Sequence, residues 1–364
     1  MERRRFLQGA LGLSGAVVLS NAGRFAATAT AANVDGKWRA FEVVTRVEIV
    51  NPSDVARVWL PLPLMTDTDY QKNLGQTSTG NAAVTRVVRD DKYGAGIFYA
   101  EWAADEPVPV VELTTRFATR DRAVDFKQPG PAQPEDKAVL AKYLGSTSYI
   151  TTDGIVGKTS REITKGQSTD VDKARAIYEW IVENTFRDPK VRGCGLGNIR
   201  AMLETGNLGG KCADLNALFV GLARAAGIPA RDVYGVRAAD SAEFKSLGKS
   251  GEITKAQHCR AECYLSGLGW VPVDPADVRK LVLEERGGLP LTDPTVQRGR
   301  AKLFGAWEMN WLAFNYAADL KLPNATGEPV AFFMYPQAET SDGRRDSLDP
   351  DSFRYKMTSR ELAG

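Results

Sequence analysis

The hydrophobic rhythm of the chain changes about a third of the way along, and that change limits the folds open to it. Up to residue 126 apolar and polar residues alternate. The segments "KWRAFEVVTRVEIV", "ARVWLPLPL", "AAVTRVVRD", "GIFYAEW" and "VPVVELTTRFATR" are rich in Val, Phe and Thr and are separated by turn residues. A period of two sends successive side chains to opposite faces of a strand. Short strands at this spacing predict an all-β, sandwich-like domain over 36–126. "KQPGPAQP" at 127–134 has the composition of a linker. Then the period lengthens. "STDVDKARAIYEWIVENTF" places Val171, Ala174, Ile177, Tyr178 and Ile181 on one helical face, with Thr169 and Asp172 as a capped start and Pro189 past the end. "GGKCADLNALFVGLARAAGIPAR" repeats the pattern with Leu215, Leu218, Phe219, Leu222 and Ala226, predicting a helix buried on one side that stops at Gly227 and Pro229. A hairpin follows, "CRAECYL" and "WVPVD" around the turn "SGLG". Strands followed by mixed helices and strands read as α+β.

The first 32 residues read as an address. Arg3, Arg4 and Arg5 precede Phe6 and Leu7, an apolar run spans 10–19, and small residues around Ala29 to Ala32 offer cleavage sites. The order R-R-x-F-L is that of a twin-arginine signal, which exports folded chains. The apolar run is too short to span a membrane. The expectation is a periplasmic or otherwise exported protein with no membrane span in its mature form. Removing residues 1–32 takes four arginines and one glutamate from a formal charge of +2, leaving −1. No basic run remains, which argues against a nucleic-acid partner. Four cysteines (194, 212, 259 and 263) are too few for a disulfide scaffold in 364 residues.

Candidate chemistry centres on the only histidine, His258. Cys212 falls at the first turn of its helix, after Gly209-Gly210-Lys211. Unpaired N–H groups and the positive dipole end favour a thiolate there. Thiols at helix starts beside a cation have pKa values lowered to about 3.5–7.5. A cysteine nucleophile needs a base, and the base an orienting acceptor. His258 begins one strand of the hairpin and Asp274 ends the other, so a turn near 266–269 brings them within a residue or two of register. A carboxylate there can hold the imidazole in one tautomer and stabilise its charged form. Cys212, His258 and Asp274 are thus the expected catalytic residues, set against the plainer readings of a core cysteine, a core ring and a turn aspartate. The Cys212 backbone N–H is the expected oxyanion donor, with Asn198 and Gln257 as weak candidates for a second.

Other readings are weaker. In "HCRAEC", residues 259 and 263 point to the strand face opposite 258, so His258, Cys259 and Cys263 do not converge as metal ligands with Cys194. Cys194, Cys259 and Cys263 are expected either to hold one disulfide or to be core residues. "GIVGKTS" at 154–160 lacks the first glycine of a phosphate loop, and "GCGLGN" at 193–198 has Arg200 where a dinucleotide fingerprint needs a small residue. Both read as loops.

"GGKCADLNALFVGLARAAGIPAR" followed by "QHCRAECYLSGLGWVPVDPAD" resembles the transglutaminase-like superfamily over roughly 168–280. The resemblance implies a papain-like core at 168–282; by composition 127–167 reads as a linker or helical connector, and 283–364 as a strand-and-loop region completing the core. It maps Cys212 to the nucleophile, His258 to the base and Asp274 to the orienting acid. It implies acyl transfer or amide hydrolysis through a thioester on a peptide or protein substrate, with no metal or organic cofactor. The narrower alternatives are a cysteine peptidase of cell-envelope peptides and a catalytically idle binding protein. One departure is Arg260, where the family commonly has an aromatic residue; it raises the expectation of an altered substrate groove.

Overall fold

The computed structural model describes residues 37–127 and 134–363, so the segment expected to be an export signal lies outside the described residues. Two five-stranded antiparallel sheets face one another. One runs Gly251–Glu252, Phe353–Glu361, Arg39–Ile49, Val110–Thr119, Gln71–Gly80; the other runs Gly343–Arg345, Gln337–Thr340, Ala56–Pro61, Gly96–Trp102, Val84–Arg89. Alternate residues from both, among them Val47, Ile49, Val58, Leu60, Phe98, Trp102, Val111, Leu113 and Phe353, fill the space between them. This is the expected sandwich, but its membership differs from the reading of 283–364 as completion of the core. Phe353–Glu361 pairs with the first strand from Phe41↔Glu361 to Ile49↔Phe353, and Gln337–Thr340 pairs with Ala56–Pro61. Of that region only Trp311–Asn315 joins the core sheet. A strand's alternation shows which face is buried but not which distant edge it will extend.

The core sheet has the order Gly269–Val273, Gln257–Leu265, Ala230–Arg237, Trp311–Asn315, all antiparallel. Helix Cys212–Ala225 packs against its two central strands. Helices Gly154–Ile163, Asp170–Asn184 and Pro275–Glu284 surround that helix in turn. The Asp170–Asn184 helix starts as expected: Thr169 Oγ1 accepts the Asp172 N–H at 3.1 Å. Two expectations need correcting. Helix Cys212–Ala225 is buried on every side from Cys212 to Arg224, not on one. It accommodates its polar residues by internal bonds, such as Arg224 Nε to the Ala230 carbonyl at 2.8 Å. "GIVGKTS" is no loop but the start of helix Gly154–Ile163, where a Cβ on Gly157 would come within 3.0 Å of the Thr152 carbonyl oxygen.

Candidate active site

Strand Gln257–Leu265 and its partner Gly269–Val273 are in register from Leu265↔Gly269 to Ala261↔Val273. Extending that register puts Asp274 opposite Arg260, two positions from His258 and on the same strand face. The side chains close the gap: His258 Nε2 lies 2.8 Å from Asp274 Oδ2. Asp274 is held rigidly, because it also caps helix Pro275–Glu284. Its Oδ1 accepts the Asp277 N–H at 3.0 Å and Asn216 Nδ2 at 3.1 Å. Asn216 also donates to the Cys259 carbonyl at 2.8 Å, tying helix Cys212–Ala225 to the His258 strand. From the other side Trp311 Nε1 donates to the His258 carbonyl at 2.9 Å. Ring, carboxylate and their supports are all buried.

Cys212 is the first residue of its helix, with Lys211 as the cap residue. The helix's next N–H groups are spent: Ala213 donates to the Cys194 carbonyl at 2.9 Å, and Asp214 and Leu215 to the Lys211 carbonyl at 3.2 and 3.0 Å. Among the described residues the Cys212 N–H finds no acceptor, the condition an oxyanion donor needs. Asp214 fixes the approach to the thiol, accepting the Lys211 N–H at 2.9 Å on Oδ2 and the Leu196 and Gly197 N–H groups at 3.0 and 2.9 Å on Oδ1. That grip demands glycine at 195, which has φ 93° and where a Cβ would fall 1.8 Å from Asp214 Oδ2. "GCGLGN" is a loop, as expected, and its place in the site is new: it carries Cys194 to the side of Cys212.

Electrostatics favour the charged pair. The Cys212 thiol is held well below the usual thiol range, chiefly by the neighbouring Cys194 and Cys259 thiols. Burial opposes this, and contact with the His258 ring adds to it. Burial and the Arg237 guanidinium work against a charged His258, but the Asp277 and Asp274 carboxylates outweigh them and push the ring up to about 9. With Nε2 committed to Asp274, Nδ1 is the ring nitrogen left for the sulfur. Asp277 Oδ2 lies 3.3 Å from Nε2 on the same side as Asp274. Burial would raise Asp277; Arg237, donating to its Oδ1 at 2.6 Å, and the imidazolium hold it well below the carboxylate range. His258, Asp274 and Asp277 are close enough together to suggest a cation site. Arg237, and Arg260 3.7 Å from Asp274, already supply the positive charge those carboxylates need.

Cys212 and His258 open on one cleft of about 680 Å³, at the junction of core and sandwich. Asp274 lies behind His258, out of the cleft. Of the weak oxyanion candidates, Asn198 instead caps helix Ile199–Thr205, accepting the Ala201 N–H at 3.2 Å, and does not line the cleft. Gln257 does line it, but its Nε2 is turned to Met357 Sδ at 3.5 Å. Arg260 does not line the cleft, being buried against Trp311 and Trp307 and donating to the Glu308 carbonyl at 2.9 Å. All four cysteines are free, so the three besides Cys212 form no bridge; Cys259 and Cys263 are core residues, and Cys194 lines the cleft. Sequence reasoning missed Cys194, Arg237, Asp277 and Tyr335. Only Asp277 left a local trace, in the capping spacing of "DPAD".

Residues 157–275 match the transglutaminase-like superfamily model. An uncharacterised protein of Haemophilus influenzae is 38% identical over 322 residues, covering 84% of this chain and 86% of its own. The crystal structure of a proposed cysteine protease from Cytophaga hutchinsonii superposes with a TM-score of 0.50 at 16% identity, over 89% of this chain and 98% of that one, and shares the fold. The periplasmic domain of TgpA from Pseudomonas aeruginosa is more distant, at TM-score 0.34 and 14% identity over 71% and 92% of the two chains. This chain belongs to the transglutaminase-like superfamily.

Proposed function

We propose that the protein is a cysteine-dependent amide hydrolase or acyltransferase acting on peptide or protein substrates, with Cys212 as nucleophile, His258 as acid and base, and Asp274 as the orienting carboxylate. One observation carries this reading. The only imidazole is bonded on one nitrogen to a buried carboxylate at 2.8 Å and shares a cleft with a thiol held well below its ordinary pKa. In the first half-reaction the Cys212 sulfur attacks the amide carbon, and the carbonyl electron pair moves to an oxygen facing the Cys212 N–H. Collapse of this intermediate breaks the C–N bond as His258 gives its proton to the departing amine, leaving a thioester and a neutral ring. Water or a second amine then attacks the thioester, losing its proton to His258. The acyl group departs and the thiolate–imidazolium pair is restored. One well-placed oxyanion donor contributes about 3–4 kcal/mol to such a transition state.

The twin-arginine reading is tested by fractionating cells after Arg3 and Arg4 are replaced by lysine, with loss of export expected. The catalytic reading is tested by intact-mass detection of the acyl-enzyme on a mixed peptide pool, followed by addition of a primary amine. An adduct on Cys212 that is lost in Cys212→Ser is expected, and the amine shows whether transfer competes with hydrolysis. An adduct on Cys259 or Cys263 would overturn the assignment.

A further inference from the structure

The cleft's charge is out of keeping with the chain as a whole. The formal charge of the full sequence is only +2, yet the side chains facing the cleft include seven cationic residues against one acidic, Glu252. Some of that charge is neutralised nearby. Arg187 and Lys280 share the single carboxylate of Glu284 at 2.6 and 2.9 Å, Arg192 pairs with Asp346 at 2.6 Å, and Arg237 pairs with Asp277. Lys211, Lys249 and Lys255 have no ion-pair partner among the described residues, and both Lys249 and Lys255 are exposed. Lys280 registers the surplus: burial and Arg237 lower its pKa despite Glu284. The apolar part of the lining comes from the C-terminal region, with Tyr335, Leu348, Phe353 and Tyr355.

We propose that the acyl donor is an acidic peptide, a segment with carboxylate side chains flanking the amide that Cys212 attacks, seated in a cleft lined by these cations and apolar side chains. The proposal rests on the thiol chemistry above and specifies its substrate. Concave sites with low-dielectric walls concentrate ligands of opposite charge, and Lys211 sits next to the nucleophile, so a carboxylate near the reacting bond meets a cation. A peptide fits better than a nucleic acid, because about half of the cleft lining is apolar, with Leu348, Phe353, Tyr335 and Tyr355 offering surface to side chains rather than to phosphates.

The test uses two peptidyl chloromethyl ketones of equal length, one carrying two glutamates and the other two glutamines, with iodoacetamide as a neutral control. The expected result is inactivation of Cys212 about tenfold faster by the glutamate probe at low salt, with the advantage shrinking as ionic strength rises. In a Lys249→Glu/Lys255→Glu variant, checked for an unchanged melting temperature, the glutamate-to-glutamine rate ratio falls towards unity. Poly-glutamate protects Cys212 from iodoacetamide. Equal rates for the two probes, or a ratio untouched by the charge reversal, would overturn the acidic-peptide proposal while leaving the thiol chemistry standing. Protection by an oligonucleotide but not by poly-glutamate would overturn it in favour of a different polyanion. Failure of Cys212 to react with any of the three reagents would instead remove the catalytic reading on which the proposal rests.

Discussion

At one end of the strand Gln257–Leu265, Glu262 is gripped by Arg122 and Arg231, each at 2.6 Å. At the other end, four residues away on the same face, His258 meets Asp274, with Asp277, Arg237 and Arg260 around it. Both clusters are buried and both mix cations with carboxylates. The first is closed. Both Glu262 oxygens are paired, and Arg231 is stacked between Trp270 and Tyr316, each 3.8 Å from its guanidinium carbon. In the second, the His258 nitrogen that Asp274 leaves free faces a thiol and a cleft. Counting Cys212 as thiolate, three anions there balance three cations, so the cluster tolerates burial while the thiolate stays nucleophilic. A network whose carboxylate is fully paired holds a structure together; a balanced network whose imidazole faces a thiol can move a proton.

The largest effect that separates the two ends is expected at the thiol itself. Cys212→Ala should abolish acyl-enzyme formation, a loss of at least about 10⁴-fold, with little change in melting temperature; a residual adduct in intact-mass spectra would place the nucleophile elsewhere. Next is Asp274→Asn. Asparagine caps a helix as well as aspartate, so helix Pro275–Glu284 keeps its start while the charge behind His258 is lost. Turnover should drop by roughly 10²–10⁴-fold and the stability change should be small, read by kinetics and thermal melting on the same sample. Glu262→Gln should do the reverse, destabilising by about 3–5 kcal/mol in denaturant titrations without shifting Cys212 alkylation. Because Arg231 and Arg122 hold the folded Glu262 below its ordinary pKa of 4.5, its contribution is present above that value and is lost as pH falls through the lower folded one. A rate effect at Glu262, or none at Asp274, would erase the distinction.

The smallest effect concerns a third buried carboxylate. Asp232 is 4% exposed, and neither oxygen makes a hydrogen bond of normal geometry. Burial pushes its pKa up from 3.8 to about 7, against the pull of the Arg224 guanidinium. Between those values the unfolded chain has released a proton that the folded one keeps, so stability falls as pH rises and the cost is complete above 7. Asp232→Asn should therefore stabilise the protein at pH 8, by no more than about 4 kcal/mol, and hardly at pH 4. Thermal melts at the two pH values check this.

The residues legible in the sequence were those with a local signature. Cys212 follows "GGK" at a helix start, His258 has no rival histidine, and Asp274 lies one hairpin length from it. Their neighbours come from separate elements joined only by tertiary packing. Arg237 ends a strand with nothing in its surroundings to mark it, and Tyr335 lies in a region to which no chemistry could be assigned. Cys194 sits in a glycine-rich loop whose meaning appears only once Asp214 is seen to hold it. The sandwich was legible as strands, but its closure was not, because the pairing of Phe41 with Glu361 spans nearly the whole chain.

The most direct measurement is the rate of Cys212 alkylation by iodoacetamide as a function of pH, with Cys212→Ser as blank. A buried thiolate–imidazolium pair gives rapid alkylation that is almost level from about pH 6 to 8, and in His258→Gln the rise moves up to the range of an ordinary thiol. A wild-type rate that climbs tenfold per pH unit through 7 and 8, unchanged in His258→Gln, would show that sulfur and ring act independently.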